Sequence, residues 1–194
     1  KSDVLLIVLL LIFVDNIVCQ CIYELNDINY WNIISGEWET TLDGYIKVNE
    51  SIQDSSILIT DDNTIPGILE WNKYSMSVNM SILPAKLEST YPDGYVCVIF
   101  NAQNISSKMQ YCMFQFLCHT ELWEMNDRIG IFDTTFNDTN GIILKVDIDG
   151  YKYRIYLNDI LVTNGESSLY DHGSVGFYSW KSSVVIESVR VNVS

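Results

Sequence analysis

A chain of 194 residues, 48% hydrophobic and 19% charged, is too apolar for a disordered segment and the right size for one well-buried core. Its 25 acidic against 11 basic residues give a formal charge of −14. With no cluster of Lys and Arg, that excludes the counterion-displacing surface nucleic acids need and disfavours anionic membranes, while suiting neutral sugars, divalent cations or solubility outside a cell.

The first element is VLLIVLLLIFV, Val4 to Val14. It has the length of a signal-peptide apolar region and falls short of the roughly 20 residues that span a bilayer. Asp15 and Asn16 interrupt it, and extending it through Val18 would bury both in the apolar layer. Residues 1–19 therefore read as a signal peptide ending at Cys19, the alternative being an uncleaved N-terminal anchor that would be the chain's one membrane contact. Residues 20–194 read as a single domain.

Strands are predicted next at Gly44 to Val48 and Ser56 to Ile59. From Ser75 to Leu83 the pattern alternates, with Met76, Val78, Met80 and Ile82 on one face and Ser75, Ser77, Asn79 and Ser81 on the other, as a half-buried strand requires. Tyr95 to Asn101, Met109 to Leu117 and Ile129 to Phe132 follow. The segment ILKVDIDGYKYRIYLNDILV reads as a three-stranded meander turning at Asp149-Gly150 and at Asn158-Asp159. Ser174 to Trp180 and Val184 to Val193 close the chain. Many short strands without an amphipathic helix predict an all-β fold, a two-sheet antiparallel jelly-roll sandwich.

Removing the leader leaves Cys21, Cys97, Cys112 and Cys118, an even number in a compartment where disulfides persist. Three pairings are open. Folding YVCVIFNA and MQYCMFQF as neighbouring strands about a loop near Asn104 sets Cys97 opposite Cys112 and leaves Cys21 for Cys118; four buried thiols are the alternative. Sequons stand at Asn49, Asn79, Asn104, Asn137 and Asn192, as in an exported glycoprotein.

Several segments together resemble the concanavalin A-like lectin/glucanase superfamily, in its laminin G-like and sugar-hydrolase-associated jelly rolls. They are YWNIISGEWETTLDGYIKV, LEWNKYSMSVNMSI, DGYVCVIFNAQNISSKMQYCMFQF, GIILKVDIDGYKYRIYLNDILV and HGSVGFYSWKSSVVIESVRVNV, within Tyr23 to Val193. The resemblance implies the jelly roll, whereas one fold carries many activities. The Glu-x-Asp-x-x-Glu signature of the superfamily's hydrolases is absent. Its nearest counterparts are Glu121 with Glu124, at odd spacing, and Asp147 with Asp149, at the even spacing that shares a strand face. His119 and His172 stand in no recognisable triad or metal spacing. No catalytic residue is assigned. The oxygen-rich stretch from Asp133 through Asp138 to Gly141 suits calcium or a solvated, glycosylated loop, with no other cofactor implied.

Aromatic rings stack on the apolar faces of sugars while nearby polar groups bond their hydroxyls. Trp71, Trp123, Arg154, Tyr156 and Trp180 are the ligand candidates, drawn from a pool that includes Tyr151, Tyr153 and Tyr178. Alternation sends Tyr151 and Tyr153 to the core with Ile155 and Leu157, and Lys152, Arg154 and Tyr156 to the other face. The expected function is a secreted or cell-surface carbohydrate-binding or adhesion domain without catalysis. Its partners would be glycans or other surface glycoproteins. The alternatives are a self-associating subunit of an extracellular assembly and a glycoside hydrolase.

Overall fold

The computed structural model describes residues 21–43, 46–48, 55–83, 95–105, 108–116, 120–124, 127–132 and 141–194. The leader, and with it the choice between signal peptide and anchor, lies outside them. Fifteen strands are described: β1 (Cys21–Glu24), β2 (Trp31–Ser35), β3 (Trp38–Thr40), β4 (Ile46–Val48), β5 (Ser55–Thr60), β6 (Lys73–Leu83), β7 (Tyr95–Ile105), β8 (Lys108–Phe116), β9 (Thr120–Glu124), β10 (Asp127–Phe132), β11 (Ile142–Asp149), β12 (Lys152–Leu157), β13 (Ile160–Glu166), β14 (Ser174–Trp180) and β15 (Ser183–Val193). Helical structure among the described residues is two single 3-10 turns, Ile28–Tyr30 and Ile68–Glu70.

Two antiparallel sheets result. Sheet A runs β13-β12-β11-β6-β15-β4-β3, with β1 also on β15, and sheet B runs β10-β9-β8-β7-β14-β5-β2. Between them lies one core. Sheet A contributes Met76, Val78, Met80, Leu144, Val146 and Ile155, and sheet B contributes Leu58, Val98, Phe100, Phe114 and Phe177, all fully buried. Each such side chain contributes about 1.5–3 kcal/mol of burial. The predicted alternation holds in β6 from Tyr74 to Ser81 and in the first two strands of the meander, which bury one face only, whereas β13 at the sheet edge does not alternate.

Turns set the register. Asn158 (φ 47°) and Asp159 (φ 64°) take the two left-handed positions of the β12–β13 hairpin, a conformation Asn and Asp tolerate. In the β11–β12 hairpin the turn residues are Gly150 (φ 60°) and Tyr151, since Asp149 already pairs with Lys152. Tyr151 thus leaves the ladder and is exposed, which corrects its predicted core placement, while Tyr153 is buried as expected.

The strand β15 bulges between Ile186 and Ser188, so Val184 and Ile186 before the bulge and Val189 and Val191 after it all face inward. Glu187 is the extra residue. Its carboxylate accepts from Asn79 Nδ2 at 2.8 Å and from Ser81 Oγ at 2.7 Å, the two defining residues of one sequon. A second pin joins the sheets: Tyr74 of β6 donates its hydroxyl to Asn101 Oδ1 at 3.0 Å, and Asn101 Nδ2 donates to the Tyr170 carbonyl at 3.0 Å. Asn101 is buried with φ 51°, where β7 bulges between Phe100 and Gln103.

The expected Cys97–Cys112 bridge is overturned. The β7–β8 hairpin does not turn at Asn104; β7 continues to Ile105, which pairs with Lys108, so the ladder slides and sets Gln115 opposite Cys97 and Phe100 opposite Cys112. Three residues of offset separate the two cysteines by about 10 Å along the strands, beyond the roughly 7 Å that a disulfide spans. Cys97 and Cys21 are thiols, and Cys118 lies outside the described residues.

Candidate functional site

The face of sheet B turned away from the core carries an aromatic ridge. Along β7, Val96, Val98 and Phe100 enter the core, so Tyr95, Cys97 and Ile99 take the opposite face. The strand β14 lies beside it, with Val175 and Phe177 inward and Tyr178 and Trp180 outward. Cross-strand register then pairs Tyr95 with Trp180 and Cys97 with Tyr178.

The rings meet as that register demands. Tyr95 and Tyr178 stack at 5.8 Å between centroids and 11° between planes, and Tyr95 lies 5.2 Å from Trp180. Lys181 holds its ammonium 4.1 Å from the Trp180 ring centre. Ile57, Tyr111 and Tyr178 pack on a small second cluster of Ile59, Ile99 and Ala102 beneath the ridge. Gly176 separates Ile59 from Ile99 in the ladder; a Cβ there would stand 2.5 Å from Ile59 Cδ1, so glycine lets the isoleucine lie across β14.

Burial pushes the Tyr95 phenol well above the ordinary tyrosine range and raises that of Tyr111, with Tyr178 adding to the rise at both. Both stay protonated at neutral pH. They therefore present hydroxyl groups, beside ring faces, to whatever occupies the ridge.

The outer face of sheet A is of another kind. One register row across five strands reads Asn192, Ser75, Asp147, Arg154 and Asn164. These side chains line a cleft of about 700 Å³. The next row holds Lys73 on Asp149 at 3.7 Å and Lys152 on Glu166 at 3.9 Å.

The five predicted ligand residues are thus dispersed. Trp71 is corrected to the core: it is buried between Tyr23 and Tyr74, with centroids 5.0 and 6.1 Å away, because the 3-10 turn Ile68–Glu70 folds it under the sheet end. Trp180 belongs to the ridge of sheet B. Trp123 lies on the same sheet, in β9, paired with Met113 and Arg128. Arg154 lines the cleft of sheet A, and Tyr156, half-buried on that sheet, receives Lys145 at 5.2 Å from its ring. Tyr95 and Tyr111 were missed; in runs as apolar as YVCVIF, alternation gives no sign of which residue faces out.

Among the other candidates, Asn79 sits in the middle of β6 with its amide held by Glu187, and no partner for its buried Oδ1 appears among the described residues. Asn104 pairs with Met109 in the ladder, whereas Asn49, Asn137, Asp133, Asp138 and His119 lie outside the described residues. His172 Nδ1 lies 2.6 Å from Asp171 Oδ1 in a half-exposed turn. Among the described residues no group of three or more His, Cys, Asp or Glu could hold a metal ion, and no helix is long and apolar enough to cross a membrane.

No protein-family model matches the sequence, and no curated protein matches it. Solved structures do match in fold. A carbohydrate-binding module from Bacillus subtilis aligns with a TM-score of 0.62 at 16% identity over 83% of this chain and 94% of its own. The exoplasmic/lumenal domain of VIP36, bound to calcium and mannose, gives 0.60 at 9% identity over 84% and 82%. An alginate lyase of polysaccharide lyase family 7 gives 0.55 at 14% identity over 82% and 83%. With two antiparallel sheets enclosing one core, the chain has the jelly-roll sandwich fold of these structures.

Proposed function

We propose that this is an exported carbohydrate-binding domain whose ligand lies along the Tyr95–Tyr178–Trp180 ridge of sheet B. The observation that carries the reading is the half-exposed aromatic row itself, on the sheet face away from the core and with protonated phenols among its rings. Ring faces take up the apolar side of a pyranose, and the phenol and Gln115 groups suit its hydroxyls. Export rests on the apolar run Val4 to Val14 and the sequons. The fold neighbours that bind or cleave saccharides support the ligand class.

A glycan array of the purified domain tests the reading: neutral oligosaccharides bind, and Tyr178→Ala and Trp180→Ala weaken them. Absence of any binding at millimolar ligand overturns it. One observation favours the assembly alternative, in that β13 is the edge strand of sheet A among the described residues and carries Ile160 and Leu161 exposed. Multimers in light scattering, lost on Leu161→Lys, would decide for it.

A further inference from the structure

We infer that the cleft on sheet A is a second saccharide site, selective for acidic sugars, in which Arg154 takes the sugar carboxylate. Of the chain's 11 basic residues six lie on this sheet, although the chain carries −14; besides Lys47 of β4, which does not line the cleft, they are Lys73, Lys145, Lys152, Arg154 and Arg190. Their neighbours absorb four of them: Asp149 holds Lys73, Asp147 holds Lys145 at 3.1 Å, Glu166 holds Lys152 and Glu24 holds Arg190.

Arg154 is the remainder. It stands directly opposite Asp147 in the ladder, yet that carboxylate is turned to Lys145, and the Arg154 guanidinium makes no ion pair or hydrogen bond with the described residues. It is exposed within the cleft. A guanidinium is a planar fork of donors that matches a carboxylate bidentately. The cleft's own lining is balanced, Lys73, Lys152 and Arg154 against Asp147, Asp149 and Glu166, and screening over about 8 Å at physiological salt removes most of the field of the chain's remaining negative charge.

The rest of the lining sets the ligand class. Asn192 and Ser75 supply an amide and a hydroxyl on neighbouring strands about 4.8 Å apart, and Asn164 supplies a second amide beside Arg154, at the other end of the row. Groups that both donate and accept, in line, suit vicinal hydroxyls better than an apolar or phosphate-rich ligand. The cleft, about 700 Å³, falls within the roughly 300–1,000 Å³ of small-ligand sites. This site is independent of the aromatic ridge, which lies on the other sheet.

Calorimetry separates the two. The probes are tri-galacturonate, its full methyl ester, 3′-sialyllactose, lactose and sodium acetate. At least one acidic sugar binds about tenfold or more tightly than its neutral counterpart and than acetate, and Arg154→Gln removes that advantage, the loss expected for a charged hydrogen-bonded pair. Tyr178→Ala leaves it intact. Equal affinity for acid and ester, equal affinity for acetate, no binding of either acidic sugar, or unchanged binding by Arg154→Gln overturns the inference. Loss of neutral-sugar binding alone, in Tyr178→Ala, speaks only to the ridge.

Discussion

The two outer faces of this sandwich are built by the same alternation and end in opposite chemistry. On sheet A the outward positions of β6, β11 and β12 are mostly Ser, Asn, Asp, Lys and Arg, with Ile143 and Tyr156 among them, so water covers most of that face and ion pairs hold it. On sheet B the outward positions of β7 and β14 are Tyr, Cys, Ile and Trp, with Cys97 and Ile99 fully buried beneath the rings. A sheet that is apolar on both faces costs solubility unless something covers or occupies the second face, which is the physical ground for proposing a ligand on the ridge.

The largest way to break the comparison is to cut the tie between the sheets. Asn101→Ala removes the acceptor of the Tyr74 hydroxyl and leaves alanine in a left-handed conformation. Chemical denaturation then shows a loss of about 2–4 kcal/mol, the sum of two lost buried hydrogen bonds, to Tyr74 and to the Tyr170 carbonyl, and backbone strain. Next come the faces themselves. Tyr178→Ala lowers affinity for neutral saccharides about tenfold while Arg154→Gln leaves it unchanged, a contrast read by titration of both variants.

Alkali also distinguishes the faces. The Tyr95 and Tyr111 phenols have folded values raised above the unfolded value near 10, so their stabilising contribution is complete below pH about 10 and is lost as pH rises through the folded values. Denaturation midpoints accordingly fall as pH rises above about 10. Phenylalanine at position 95 reduces that fall.

The smallest effects belong to sheet A. Glu187→Ala frees the Asn79 amide and the Ser81 hydroxyl and costs about 1 kcal/mol of stability by denaturation, as for a pair of half-exposed hydrogen bonds. Leu161→Lys, on an exposed edge position, changes stability by less than about 0.5 kcal/mol.

Legibility followed burial. The β6 strand and the first two strands of the β11–β13 meander were readable because one wet face imposes alternation, and Asn158-Asp159 marked its own turn. The short strands β1, β2, β3 and β9 were not, since three to five residues carry too little pattern. Trp71 misled because a tryptophan beside charged and polar neighbours gives no sign that a 3-10 turn will tuck it inward. Of the site, Trp180 and Arg154 were found, but as members of one pool; the structure puts them on different sheets.

What the sequence by itself determined is the all-β sandwich, since the two-residue period, the turn residues and the absence of helical periodicity are local properties. Tertiary structure alone decided which cysteines face each other, which tyrosines meet and where Arg154 points. Those depend on register, and register here is set by bulges at Phe100 to Gln103 and Ile186 to Ser188 and by a hairpin that closes beyond Ile105. One residue of slip moves a side chain to the other face, and no local pattern in a strand buried on both faces records that choice.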